Sequence, residues 1–330
     1  MKHISILIPK GETSISNIEG TNQILNQVNL MRAQMNLPPA FKIQYVGISK
    51  EASQRDGQFT IKPDILIKDV KKTDIIIIPA MFGDQKKTVE ENKEFIPWIL
   101  KQYEQGADLV TFCIGAFFLA ATGLLNGKQC STHWLHANEF RKMFPDVNLL
   151  DDKIMTEDDR IYTSGGAYSF LNLLVYLIEK YTGRETAILI AKAFMIDIDR
   201  YKQSPFIIFQ GQKTHEDEPV KKAQEFIENN FQEKITIEQL AAMLAMGRRS
   251  LERRFKSATS NTVTEYIQRV KIEAAKKSLE SSNENVNEVM YKVGYMDPKA
   301  FRVVFKKVTG LSPVEYRNKY NKEISVYSRN

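Results

Sequence analysis

The last third of the chain repeats one helical unit, and this repeat narrows the choice of fold more than any other feature. In the first copy Thr236 can cap a helix running to about Leu244, a turn follows through Met246 and Gly247, and a second helix spans residues 248–258. On that second helix Leu251 and Phe255, four apart, face a core, while Arg249, Glu252, Arg253 and Lys256 fall at i, i+3, i+4 and i+7 on another face. The second copy lies about fifty residues on: a helix at 286–292, a turn at 293–297 and a helix at 298–308. Asp297 can cap this last helix, and Pro298 occupies the first helical position, where a missing N–H costs nothing. Phe301 and Phe305 repeat the core pair, and Lys299, Arg302 and Lys306 lie toward the exposed side. Between the copies, residues 264–279 read as one helix able to hold the two units apart.

Two such units form an all-α domain in which each copy is a helix-turn-helix, and the polar face of each second helix has the chemistry for duplex DNA. Arginine bonds guanine through two donors, an acid accepts from cytosine, and a flanking lysine holds phosphate. The charge distribution agrees. The chain carries a net +6, but residues 219–330 hold 21 Lys and Arg against 13 Asp and Glu, an excess of +8, whereas residues 1–218 hold 25 against 27, or −2. A basic segment beside a neutral one suggests a polyanion partner. A merely solvated basic face explains either helix alone as well, but not the repeat together with the asymmetry.

The first 200 residues follow a different rhythm. Residues 3–8, 42–48, 74–79 and 108–112 read as strands, and the unbroken run Ile75-Ile76-Ile77-Ile78 suits a strand covered on both faces. Helices are expected at 21–35, 90–104, 116–124, 164–181 and 185–194. The alternation argues for an α/β doubly wound, mainly parallel sheet sandwich. The expected domains are therefore 1–203, a linker at 204–219 where Ser204-Pro205 and a charged stretch break the pattern, the helical domain at 220–320, and a tail at 321–330. No apolar run approaches a membrane span and the N-terminus is too short in its apolar part for a signal peptide, so a cytoplasmic protein with no membrane partner is expected. Two cysteines and four scattered histidines show no ligand spacing, which implies neither metal nor other cofactor.

One constellation in the first domain carries chemistry. Residues 108–120 read as strand, sharp turn and helix with Cys113 at the turn, near a helix N-terminus whose dipole favours thiolate, and Gly115 and Ala116 let backbone come close. His133, twenty residues on, is a candidate base or hydrogen-bond partner for Cys113. Cysteine is also often buried for packing alone, and His133 beside Trp134 suits a core as well. Cys130 has no partner at readable spacing and is taken as structural.

The C-terminal hundred residues resemble the AraC/XylS family of transcription regulators, through Leu240-Ala241, residues 251–256, Val293-Gly294-Tyr295, residues 301–306 and the ending 309–317. The resemblance implies base reading from Arg249, Glu252 and Arg253 in the first unit and from Pro298, Lys299 and Val303 in the second. Val303 stands where the family usually has arginine, so most specificity is expected from the first unit. The segment around Cys113, from the first strand through Ser164-Gly165-Gly166 to about residue 205, resembles the PfpI-like branch of the class I glutamine amidotransferase-like fold. That likeness implies a doubly wound sandwich that often dimerises, with a pocket around Cys113, Ile114 and His133. Two departures weigh against catalysis: Asn17, with Glu19 close by, stands where family enzymes place an acid, and Ala80 and Met81 follow Pro79 where a glycine pair is usual. The joined domains are similar to regulators that sense small nitrogenous metabolites. The expectation is a homodimeric, sequence-specific regulator of double-stranded DNA controlled by a small-molecule effector, and not an enzyme. A cysteine-dependent hydrolase or hydratase of small amides or nitriles with an accessory DNA-binding domain, and an architectural DNA binder whose first domain only dimerises, remain as alternatives.

Overall fold

The computed structural model describes residues 1–198, 202–213 and 215–321; most of the expected tail lies outside the described residues. The chain divides into two compact units, one ending at Gln203 and one beginning at Ser204.

The first unit runs β1 (Lys2–Ile8), α1 (Ile15–Gln34), β2 (Phe41–Gly47), β3 (Ala52–Gln54), β4 (Phe59–Ile61), β5 (Ile65–Leu66), β6 (Ile75–Ile78), α2 (Gln85–Glu91), α3 (Phe95–Glu104), β7 (Asp108–Phe112) and α4 (Gly115–Ala121). It continues through β8 (Gln129–Cys130), α5 (Ala137–Met143), β9 (Asn148–Leu149), β10 (Met155–Asp158), β11 (Ile161–Ser164), α6 (Phe170–Thr182) and α7 (Arg184–Ala193). The main sheet has the order β10-β11-β7-β6-β1-β2-β5 and is parallel except for its edge strand β10. Strand alternation divides its side chains between two cores. Ile76 and Ile78 join Leu7 beneath α3, α4 and α5, while Ile75 and Ile77 join Ile4, Ile6 and Ile8 beneath α1, α6 and α7. Helices on both faces give the doubly wound sandwich.

Boundaries moved where local chemistry overrode periodicity. Helix α1 starts six residues before the expected Thr21, because the Ser14 side chain accepts the Asn17 N–H as N-cap. The helix expected over 90–104 is two, the first capped by Asp84. The helix expected from Ser164 begins at Phe170; Ile161–Ser164 is a strand paired in parallel with β7. Four buried residues in a row have no readable period, and only the β7 partner fixes them as strand.

The second unit contains α8 (Glu218–Asn229), α9 (Ile237–Met243), α10 (Arg248–Thr259), α11 (Val263–Ser281), α12 (Val286–Lys292), α13 (Pro298–Thr309) and α14 (Pro313–Tyr320). Each helix-turn-helix has its own core. Leu240, Leu251, Phe255 and Tyr266 fill the first, and Val289, Phe301, Phe305 and Tyr316 the second. Both repeat copies end in a left-handed residue, Ser260 at φ 59° and Gly310 at φ 76°.

The residues expected as a linker, 204–219, are not a loose tether in their described part. Lys276 Nζ donates to the Ile207 carbonyl at 2.6 Å, Glu273 accepts the Phe209 N–H at 3.1 Å, and the Phe209 ring meets Tyr266 edge-on at 5.1 Å. The apolar stretch after Pro205 has enough surface to pack on α11, which its broken sequence pattern concealed.

Candidate nucleic-acid interface and pocket

At the C-terminal ends of β1, β6 and β7, where the chain leaves β1 toward β2 on one side and β6 on the other, a cavity of about 520 Å³ opens. Such a switch point is where open α/β sheets hold ligands. Asn17, Ala80, Cys113, Ile114 and His133 line it as expected from the sequence. Met81 does not. It forms an isolated antiparallel bridge with Thr13 and is 1% exposed in the core, so that the neighbours Ala80 and Phe82, one step either way, face the cavity. Arg55, from the β3–β4 turn, and Tyr168 complete the wall; the sequence marked neither, because their place depends on a short hairpin with no periodic signal.

Cys113 sits at φ +55°, a left-handed turn between β7 and α4. Its N–H donates to the Ser164 carbonyl at 2.9 Å, and its own carbonyl accepts from Thr132 Oγ1 at 2.9 Å. Gly115 is required here for packing. A Cβ at that position would lie 2.5 Å from the Pro79 carbonyl oxygen and 2.7 Å from Thr111 Oγ1. The helix N-terminus favours thiolate, but burial works against it and pushes the Cys113 thiol up to about 11, and the Ile114 N–H offsets only part of this. Burial, and then His136 nearby, push the His133 imidazole below its usual value, and its Nδ1 accepts the Leu135 N–H at 3.1 Å. Among the described residues no hydrogen bond joins Cys113 sulfur to His133. Asn17 is spent on structure, its Oδ1 accepting the Ala80 N–H at 3.1 Å, and Glu19 points elsewhere, to the Tyr45 hydroxyl at 2.7 Å. A thiol raised by burial, a histidine with no hydrogen bond to it and an amide in place of an acid weigh against a nucleophile here. Cys130 is buried too, its thiol raised to about 12 by burial.

In the second unit α10 and α13 each present a polar face. Arg249, Arg253 and Lys256 on α10 and Lys299, Arg302 and Lys306 on α13 are exposed. None of these six forms an ion pair among the described residues, although the charge of Lys306 is felt by Glu315. On α10 the cations beside them are paired: Arg248 bonds Glu238 at 2.6 Å and Glu252 at 3.3 Å, and Arg254 grips Asp217 through two bonds of 2.8 Å. Glu252 is therefore half-buried and partly engaged by Arg248, whereas Arg254 serves the N-cap of α8. Val303 is 61% exposed on α13.

The comparisons decide what joins these units. The model of the DJ-1/PfpI family matches residues 26–180, and that of a helix-turn-helix domain matches residues 240–319. The HTH-type transcriptional regulator GbdR of Pseudomonas aeruginosa is 26% identical over 260 residues, covering 78% of this chain and 69% of its own. The chain is an AraC-type transcriptional regulator with a DJ-1/PfpI-family domain. The HTH-type transcriptional regulator ArgR of the same species is 24% identical over 221 residues, 66% of this chain and 67% of its own. Among solved structures, a putative transcriptional regulator protein from Vibrio parahaemolyticus has a TM-score of 0.52 at 22% identity, over 59% of this chain and 99% of its own, and shares the fold.

The relatives that match this AraC-type regulator along most of its length are named as transcriptional regulators. No helix among its described residues is long and apolar enough to cross a membrane, and no group of three or more possible metal ligands occurs among them.

Proposed function

We propose that the regulator reads duplex DNA through the exposed faces of α10 and α13, and that a small molecule held beside Cys113 in the first unit controls this reading. The observation that carries the DNA assignment is the set of six outward cations on α10 and α13 that form no ion pair among the described residues, while Arg248 and Arg254 beside them on α10 do. Left unpaired, each gains most from a phosphate or a guanine edge. On α10, Arg249 and Arg253 read bases with Glu252, which must loosen from Arg248 to do so, and Lys256 holds phosphate. On α13, Lys299, Arg302 and Lys306 act mainly on phosphates, since Val303 offers no donor.

Support for the effector comes from the cavity itself. It mixes apolar walls with a few polar groups, and Thr13, one of the lining residues, has a buried hydroxyl without a partner. The route from pocket to DNA-binding unit runs through Gln203. Its Nε2 donates to the Thr132 carbonyl at 3.0 Å and the Asp151 carbonyl at 2.7 Å, and its Oε1 accepts the Gly166 N–H at 3.1 Å. Thr132 precedes His133, Gly166 precedes Ala167 and Tyr168 of the pocket wall, and Ser204, the next residue after Gln203, opens the second unit. We further propose a homodimer formed through the first unit and a cytoplasmic setting, where the DNA is.

Fluorescence anisotropy on a duplex selected by the wild-type chain from a random pool tests the DNA assignment. Arg253→Ala is expected to lose about tenfold or more of its discrimination against scrambled duplex. Lys256→Ala is expected to weaken both duplexes alike and to flatten the salt slope by about 0.9. Undiminished discrimination in Arg253→Ala would overturn the reading.

A further inference from the structure

The two helix-turn-helix units have separate cores, so their relative pose depends on what joins them. Helix α11 serves both: Val263 and Tyr266 belong to the first core, and Ile272, Ala275 and Leu279 to the second. Lys271 falls between the two sets. It is 8% exposed, and its Nζ donates to the Glu233 carbonyl at 3.2 Å and to the Gly294 carbonyl at 3.1 Å. Glu233 lies in the loop that leads into α9 of the first helix-turn-helix; Gly294 lies in the turn between α12 and α13 of the second. The ammonium also stands 5.6 Å from the centre of the Tyr295 ring. Among the described residues it has no carboxylate partner.

A buried cation held by two carbonyls is a costly way to fill space. A methionine of similar length fills such a site without desolvating a charge. What the ammonium adds is geometry, because its donors fix two backbone segments from different units against one point. The surrounding contact is close. A Cβ on Gly294, which has φ +74°, would lie 2.0 Å from the Gln232 carbonyl oxygen and 2.6 Å from Lys271 Nζ. The loop of the first helix-turn-helix, the turn of the second and the ammonium therefore form one tight junction with no room for a side chain at position 294.

We infer that Lys271 is the positioning residue that sets the separation and angle between the α10 and α13 faces, and hence the spacing of the two DNA segments the regulator accepts. The inference rests on the reading in which both faces meet DNA. Two helices entering neighbouring major grooves on one side of a duplex must be about one helical turn, roughly 34 Å, apart. One added base pair moves the second segment by about 3.4 Å and rotates it around the axis. A rigid junction rejects that change and a loosened one tolerates it. Lys271 touches no DNA in this account; it acts through Glu233 and Gly294.

The test compares the full-length wild type with Lys271→Met and Gly294→Ala on three duplexes. One carries the spacing selected by the wild type from a random pool, and the others have one base pair added or removed between the two footprinted segments. The wild type is expected to prefer its own spacing by about tenfold or more. In Lys271→Met that preference should collapse toward unity, while discrimination against scrambled first-segment sequence, which reports Arg253 and not the junction, is retained. Gly294→Ala should shift or blur the preferred spacing from the other side of the same contact. Thermal melting is followed in parallel. A variant that melts earlier yet keeps the wild-type spacing preference overturns the inference, since Lys271 would then support stability alone. Loss of the folded second helix-turn-helix in both variants overturns it for the same reason. A wild-type footprint confined to one groove overturns it as well, and an Arg253→Ala variant with normal discrimination in the same assay identifies failure of the DNA reading itself.

Discussion

Cys113 occupies a left-handed backbone position that a β-carbon tolerates poorly, and the turn is held by Ser164 on one side and Thr132 on the other. The sequence marked the turn and the sulfur but not the protonation state. A helix N-terminus of seven residues favours thiolate modestly, whereas burial of the thiol disfavours it more, and burial wins. Reactivity follows the thiolate. With the thiol pushed from an ordinary 9.0 up to about 11, the thiolate fraction near neutral pH falls by about a hundredfold. Alkylation of Cys113 by iodoacetamide at pH 7.5, followed by peptide mass spectrometry, should be slower than in the denatured chain by at least that factor. The rate should still be climbing above pH 10. The same shift sets a stability trend: a folded-state value above the unfolded one holds the proton more tightly in the folded state. Its contribution is therefore complete below about pH 9 and lost as pH rises toward 11. Rapid labelling with a midpoint below pH 8 would contradict this and return the thiol to the list of nucleophiles.

At the scale of elements, α10 and α13 are copies in shape but not in equipment. Both bury two core residues four apart and end in a left-handed cap, yet α13 exposes Val303 where α10 exposes Arg253 on its reading side. Val303→Arg restores a guanidinium at an exposed site, so stability should change by no more than about 0.5 kcal/mol. Affinity for duplexes reselected with the variant should rise by about tenfold, with a new guanine preference in the second segment, and the salt slope should steepen by about 0.9 if the arginine instead takes a phosphate. Selection followed by anisotropy separates these outcomes, and neither gain would mean that α13 does not reach the groove. The two helix-turn-helix units were legible in the sequence because their signals are local: the Thr236 cap of α9, the Asp297 cap and Pro298 of α13, and core residues at helical spacing. Strands β8 to β11 were not, because strands of two to four residues acquire meaning only from partners far along the chain. The pocket was legible in part for the same reason. Cys113, Ile114 and His133 lie at one turn and its neighbour, while Arg55 and Tyr168 arrive from distant segments and Met81 turned away by one residue's alternation.

Across the whole molecule, a regulator must make what happens in one unit matter to the other, and the chain passes between them at Gln203, whose side chain is buried. Gln203 is 2% exposed and joins the segments bearing Thr132, Asp151 and Gly166 before the chain enters the second unit. Gly165 leaves it room, for a Cβ there would lie 2.7 Å from Gln203 Nε2. If a ligand moves the His133 or Tyr168 wall, this amide is the first group obliged to respond. Thermodynamic linkage then requires that a compound altering DNA affinity be bound with reciprocally altered affinity by the DNA complex, typically by about 5- to 150-fold. For a compound found by thermal-shift screening of the intact chain, Gln203→Ala should still show the compound's own shift, because Gln203 does not line the pocket. The ratio of DNA affinities with and without compound should fall to about one. The variant's first unit should also lose about 1–3 kcal/mol, since two carbonyls and an N–H lose their partner. A ratio unchanged from wild type would show that the signal travels by another route, with subunit association the next to examine, because a dimer held through the first unit can alter DNA binding without passing through Gln203 at all.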